Sequence, residues 1–290
     1  MKKLLALFVT LLSLCAYAQD NKYQPSSKGE IVKHQHYILS YAEDHEQAEW
    51  VAYELTAHET VKLVERADKF RPDPSVSSGS ARLADYKASG YDRGHLAPAA
   101  DMGFSATAMS ESFYMSNMSP QKPSFNRGIW KQLESLVRSY AKSYGKIYVV
   151  TGPVLNTSAQ QIGNGVTVPN RYYKIIMRGE GENRKMIAFL LSNAKHDQDI
   201  SKFVVNTDII ESISGIDFFP QLPDNLEDKL EYNVDKENWY FDPSINTNKT
   251  RKNESVTTAS IQCCGTTKSG SKCKRKAAAG SKYCWQHQQK

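Results

Sequence analysis

The sequence is poor in long apolar runs. Crossing a bilayer takes about 20 consecutive apolar residues, and no stretch after Leu14 approaches that length. Cysteine is scarce as well. The five present are Cys15 and, at the far end, Cys263, Cys264, Cys273 and Cys284. A disulfide framework through the body of the chain is therefore excluded. Internal repeats are absent, which removes solenoids and propellers. An excess of positive charge is missing where it would matter. The chain carries 37 Lys/Arg against 31 Asp/Glu, a net of +6. Setting aside Lys2, Lys3 and the seven basic residues of 261–290, residues 19–260 hold 28 basic against 31 acidic side chains, a net of −3. Global charge does not draw this body to a polyanion, so any attraction to phosphate there is local.

What is present begins with a leader. Met1-Lys2-Lys3, an apolar run from Leu4 to Leu14 and then Ala16-Tyr17-Ala18 make a positive segment, a core too short to span a membrane and a small-x-small cleavage site. A signal peptide over 1–18 is expected, with cleavage after Ala18 and a secreted or periplasmic product. Cys15 does not complete a lipobox, because Leu14 is bulky where a small residue belongs. The remaining length suits one large domain with an appendage.

Residues 19–45 read as a lead-in, irregular over 19–35, with strand candidates at His36–Tyr41 and Trp50–Leu55. Arg71–Ser80, rich in proline, serine and glycine, reads as a loop. Ile129, Trp130, Leu133, Leu136, Val137 and Tyr140 recur at steps of three and four, so a helix follows Asn126 and stops at Gly145. Ile147–Val150, Tyr172–Met177 and Met186–Leu191 read as strands, and Ser201–Ile213 as a later helix. Strands and helices mix without a regular βαβ alternation, which points to an α+β domain over 46–243. Residues 244–260, mostly Ser, Thr, Asn and Lys, read as a linker.

The chemistry gathers in two clusters. Asp92-Arg93-Gly94-His95 puts a carboxylate, a fixed cation and a base of near-neutral pKa within four positions, and Gly94 frees the backbone between them. Asn117 and Gln121, then Asn126, form an amide-rich run that opens the helix. A base, an anion-binding arginine and an oxygen-donor amide suit metal-assisted attack on a phosphodiester.

The set Tyr91-Asp92-Arg93-Gly94-His95-Leu96-Ala97-Pro98, Phe113 to Gln121 and Asn126…Trp130…Leu133-Glu134 continues downstream. There it includes Thr151-Gly152-Pro153, Val168-Pro169…Tyr172-Tyr173-Lys174 and Phe218-Phe219-Pro220. In this order it resembles the DNA/RNA non-specific endonucleases of the ββα-metal (His-Me finger) type, the group that includes mitochondrial endonuclease G. The resemblance spans residues 50–241. It implies a mixed, mainly antiparallel sheet with packed helices, one divalent metal (usually Mg2+), and hydrolysis of DNA and RNA to 5′-phosphorylated ends. By position, His95 matches the general base and Asn126 the one direct protein ligand of the metal. Glu134 matches a residue holding a metal-bound water. Asn117 and Gln121 match site-organising amides. Arg93 either orients the loop or contacts phosphate, or else pairs with Asp92, itself expected to be structural. The arginine that stabilises the phosphorane matches Arg66, with Arg71 as the other candidate in that region. A homodimer is left open. So are two rival functions, a non-catalytic nucleic-acid-binding protein and a phosphodiesterase for another substrate.

In the basic segment 261–290, Cys264, Cys273, Cys284 and His287 supply four ligands of zinc type, closed by a Cys-x2-His pair. It looks like a small cysteine-rich module appended to bacterial proteins. Two disulfides among its cysteines are the alternative, favoured by an oxidising compartment.

Overall fold

The computed structural model describes residues 23–242, together with 262, 264, 271–274 and 287. The leader, the linker and most of the Cys/His segment lie outside the described residues. The chain divides into two compact units, Met1–Ile245 and Asn246–Lys290.

In chain order the strands of the first unit are β1 (Glu30–Lys33), β2 (Ile38–Ala42), β3 (Gln47–Thr56), β4 (Asp92–His95), β5 (Met118–Gln121), β6 (Lys146–Pro153), β7 (Gln161–Ile162), β8 (Val166–Thr167), β9 (Arg171–Arg178), β10 (Lys185–Ser192) and β11 (Val204–Val205). The helices are α1 (Leu83–Tyr86), α2 (Ala106–Glu111), α3 (Pro123–Phe125), α4 (Lys131–Tyr144), α5 (Thr207–Ser214) and α6 (Asp224–Tyr232). Seven strands form one sheet in the order β1-β2-β3-β6-β9-β10-β11. Every ladder in it is antiparallel.

Both faces of this sheet are covered. On one, α4 lays Leu133, Leu136, Val137 and Tyr140 against Val51, Tyr53, Val149 and Ile176. On the other, Ile210, Leu226, Leu230 and the Phe218–Phe219 turn pack on Trp50, Val150, Ile175 and Met177. Burial on both sides explains why the central strands read as continuous apolar runs rather than as alternation. Each fully buried large aliphatic side chain contributes about 1.5–3 kcal/mol, so the sheet is a stiff base for what α4 carries.

Two expectations change. Residues 30–33, within the stretch expected to be irregular, form β1 against β2. The single helix expected over 201–213 is broken. A turn at Ile200–Phe203 leads into β11, whose β-branched Val204 and Val205 pair with Phe189 and Ala188 at the sheet edge. Helix α5 then starts afresh, with the Asn206 side chain accepting from the Ile209 amide at 3.2 Å.

Candidate active site

Strands β4 and β5 pair outside the main sheet, His95 opposite Met118 and Asp92 opposite Gln121, and the chain passes from β5 directly into α3. This ββα unit is tied down by buried hydrogen bonds. Ser119 Oγ donates to Gln47 Oε1 at 2.6 Å, and the Tyr172 hydroxyl donates to the Pro120 carbonyl at 2.9 Å. Asn117 clamps the turn beyond His95. Its Oδ1 accepts from the Ala97 amide at 2.8 Å, and its Nδ2 donates to the Ala97 and Ser112 carbonyls at 2.9 Å. Gly94 is explained differently from the expectation. It lies in extended strand, and a Cβ there would run into the buried Gln121 amide, so close approach rather than backbone freedom requires it.

His95 ends β4 with its ring against Phe113 and Phe70, at centroid distances of 5.0 and 5.7 Å. Burial, with the charges of Arg66 and Arg93 added, pushes its pKa down to about 3. The imidazole is therefore neutral throughout the working range. Its Nε2 and both amide atoms of Gln121 are buried without a hydrogen-bond partner among the described residues.

Asn126 lies 34 residues along the chain from Asp92 but beside it in space. Its Nδ2 donates to Asp92 Oδ2 at 2.9 Å. A carboxylate only accepts, so the NH2 must face Asp92 and the amide oxygen must face away. Asp92 also takes a two-pronged contact from Arg127, Nη2 to Oδ1 at 2.6 Å and Nε to Oδ2 at 2.9 Å. Arg127, not Arg93, is thus its ion partner. Burial raises the Asp92 pKa, but the bonds from Arg127 and Asn126 outweigh it and leave it below the usual carboxylate range. Between Asn126 and α4 the helix is interrupted by a π-type turn over Asn126–Trp130, with Gly128 at φ −102° and ψ −115°. Asn126 ends α3 with helical backbone angles and so does not act as the N-cap of the helix that follows. The wide turn aims its side chain independently of α4.

The two candidate arginines are placed very differently. Arg71 is committed, with Nη1 donating to the Ser110 carbonyl at 2.8 Å and Nη2 to its hydroxyl at 2.9 Å, over the Tyr114 ring. Arg66 is half exposed and contacts Asp68 at 2.7 Å. Its guanidinium lies 4.9 Å from the Phe113 centroid, the same ring that meets His95. Arg93 stacks 4.4 Å from the Phe70 centroid.

Glu134 projects from α4 into a group of charges. Burial raises its pKa, opposed first by the ammonium of Lys174. Lys174, fully buried in β9, has Nζ 4.9 Å from the Trp130 centroid and no hydrogen-bond partner. Burial lowers its pKa, and Glu134 opposes that shift. Next to this pair, Arg138 donates to Asp101 Oδ1 at 2.8 Å, and Asp101 Oδ2 accepts from the Tyr53 hydroxyl at 2.7 Å.

Comparison with known proteins bears on this arrangement. The family model for DNA/RNA non-specific endonucleases matches residues 17–225. The chain belongs to the DNA/RNA non-specific endonuclease family. Nuclease C1 of Cunninghamella echinulata var. echinulata is 36% identical over 217 residues, covering 68% of this chain and 86% of that protein. Human mitochondrial endonuclease G is 35% identical over 217 residues, 69% of this chain and 73% of its own. A crystal structure of the EndoG/EndoGI complex superposes with a TM-score of 0.63 at 33% identity, over 67% of this chain and 87% of that one. The chain is a nucleic-acid hydrolase of a metal-dependent nuclease family, and its α+β, antiparallel-sheet architecture is the one expected.

Within this endonuclease the structure brings His95, Arg93, Arg66, Asp92, Asn126, Asn117, Gln121 and Glu134 into one region. Four partners were given no role by the sequence reading, although Lys174 stands within its downstream motif. Lys174 interrupts the apolar run Tyr172–Met177, which was a usable signal. Arg127, Arg138 and Asp101 carry no local signature. In the second unit, Cys264 is exposed and Cys273 buried. Cys263 and Cys284 lie outside the described residues.

Proposed function

We propose that this endonuclease is exported, depends on Mg2+ and cleaves both DNA and RNA, with His95 as general base and Asn126 as the metal's protein ligand. The observation that carries the reading is the 2.9 Å bond from Asn126 to Asp92, which turns the amide oxygen away from that carboxylate. A single neutral oxygen donor suits a hard ion that keeps most of its water. The unpartnered His95 and Gln121 atoms leave polar capacity for water and phosphate. When bound, Mg2+ supplies charge stabilisation at the phosphate oxygens and an acidified water.

The protein's own contribution follows from its electrostatics. His95 is neutral because burial, Arg66 and Arg93 all disfavour its proton. A phosphodiester lodged against those arginines would offset their charge and raise the basicity of His95, so proton acceptance strengthens once substrate is in place. Arg66, half exposed at the rim, is the arginine that meets the developing charge on phosphorus. Glu134, held partly ionised by Lys174, orients water on the opposite side. Asn117 fixes the loop that carries His95, and Asp92 fixes Asn126.

Export rests on the leader: a lysine pair ahead of an apolar core differs from the amphipathic, arginine-rich leaders of mitochondrial import. N-terminal sequencing of protein from the growth medium should begin at Gln19; intracellular retention of the intact chain would rule it out. The segment 261–290 is proposed as a zinc module that keeps nucleic acid near the site. One bound zinc per chain is expected, with the thiols of Cys264, Cys273 and Cys284 reactive only after chelation; thiols blocked in metal-free protein would favour disulfides.

The central test incubates the full chain with plasmid DNA and with RNA, in Mg2+ and in EDTA, beside His95→Ala. Cleavage of both polymers only with metal and only by the unmodified chain is expected. Unchanged substrate in every lane removes the enzyme reading, and full activity of His95→Ala removes the assigned base.

A further inference from the structure

On the face of the sheet away from α4, α5 and α6 carry an arrangement that protein interiors avoid. Asp208 and Glu211 stand three residues apart on α5. Glu227 and Glu231 stand four apart on α6. Like charges at these spacings repel along each helix. Glu231 also sits at the C-terminal end of α6, where the helix dipole opposes an acid. It is nevertheless only 6% exposed. Its Oε1 is buried without a hydrogen-bond partner, as is Oε1 of Glu227. No Lys, Arg or His among the described residues forms an ion pair with Asp208, Glu211, Glu227 or Glu231. Burial and the neighbouring acids raise the Glu231 pKa well above the carboxylate range, and its side chain bonds to that of Glu211. The buried pair thus holds a proton where a cation is missing; such breaks of the local rules gather at functional sites.

We propose that Asp208, Glu211 and Glu231 form a second cation site, of calcium type, that bridges α5 and α6. One carboxylate oxygen from each lies within 4.8 Å of the other two. Three protein carboxylates suit calcium, which takes about six to eight oxygen ligands in flexible geometry, better than magnesium, which is usually held by only about one or two. Glu211 is already oriented, because its Oε1 accepts from the Phe218 amide at 2.8 Å. Asp208 is exposed, which gives the ion an entry path and room for water ligands. Glu227, one turn from Glu231, adds charge at the inner edge. The ion would displace the proton held between Glu211 and Glu231, which leaves to solvent, and crosslink the two helices, and so stabilise the layer that backs the sheet. This site is independent of the nuclease reading.

The test separates it from the catalytic metal. Full-length Asn126→Ala, in which the proposed catalytic ligand is absent, is stripped with EDTA, dialysed and titrated with CaCl2 by calorimetry and by thermal unfolding. One calcium per chain and a rise in Tm are expected. In the Asn126→Ala background, Glu231→Gln should abolish both, and Asp208→Asn should weaken binding about tenfold or more, the smallest second-site loss set by a lost ligand. In the otherwise native chain, Glu231→Gln should cleave DNA with Mg2+ at the unmodified rate. If Glu231→Gln misfolds, exposed Asp208→Asn decides. The absence of any calcium binding by Asn126→Ala, or undiminished binding by Asp208→Asn, overturns the proposal.

Discussion

The two faces of the seven-stranded sheet bury charge in opposite ways. On the α4 face, acids and bases interleave: Asp101 with Arg138, Asp92 with Arg127, and Glu134 beside Lys174. On the α5–α6 face, Asp208, Glu211, Glu227 and Glu231 meet without a counter-cation among the described residues. The first pattern holds its charges in place from within and leaves only chosen atoms uncommitted, notably Nε2 of His95. The second is incomplete until a cation arrives. Burial alone marks neither as functional; the signs of the neighbouring charges distinguish a preorganised site from one that waits for an ion.

The largest test of this contrast is His95→Ala. General-base removal should cut the Mg2+-dependent rate roughly 100- to 10,000-fold, with little change in Tm, in a plasmid-nicking assay. A rate within a factor of two of the unmodified chain would show that the buried imidazole is structural.

The two arginines come next. Arg66→Ala should lower kcat by roughly 100-fold, as for loss of one donor to a developing charge. Arg71→Ala should leave kcat intact and destabilise by about 1 kcal/mol, since its guanidinium holds Ser110. The reverse outcome would move the phosphate contact to Arg71.

Lys174→Met probes the pairing itself. Without the ammonium, burial would drive Glu134 above its present value of about 7, so more of it is protonated at neutral pH. Activity at pH 7 should fall severalfold as the ionised fraction of Glu134 drops, and recover as pH is raised. A loss equal at all pH values would make Lys174 a packing residue only.

The smallest effect concerns stability. The folded pKa of His95 lies near 3, below its unfolded value of 6.5. Between these values the unfolded chain binds the extra proton, so the stability this residue contributes is complete above pH 6.5 and is lost as pH falls. The slope is at most about 1.4 kcal/mol per pH unit. Urea unfolding of His95→Asn from pH 6.5 to 4.5 should show a shallower decline than the unmodified chain; parallel declines would mean that His95 takes up its proton while folded.

The sequence by itself determined the family, the α+β class, the amphipathic stripe of α4, and the chemical identity of His95 and Asn126. These follow from residue type and local spacing, which reach no further than a few turns. Tertiary structure alone decided the partners. That Arg127 rather than Arg93 holds Asp92, that Asp92 fixes which way the Asn126 amide faces, and that Lys174 lies beside Glu134 are contacts between segments 34 to 40 residues apart. That Arg71 is used up on Ser110 depends on a contact 39 residues away. The same limit hid β1, because a four-residue edge strand carries little pattern until β2 supplies its hydrogen bonds. It also hid β11 inside an apparent helix, where the open edge of β10 outweighed the local preference. Charge and periodicity are local properties and were legible. Orientation, protonation and pairing depend on burial and on long-range neighbours, which exist only once the sheet has formed.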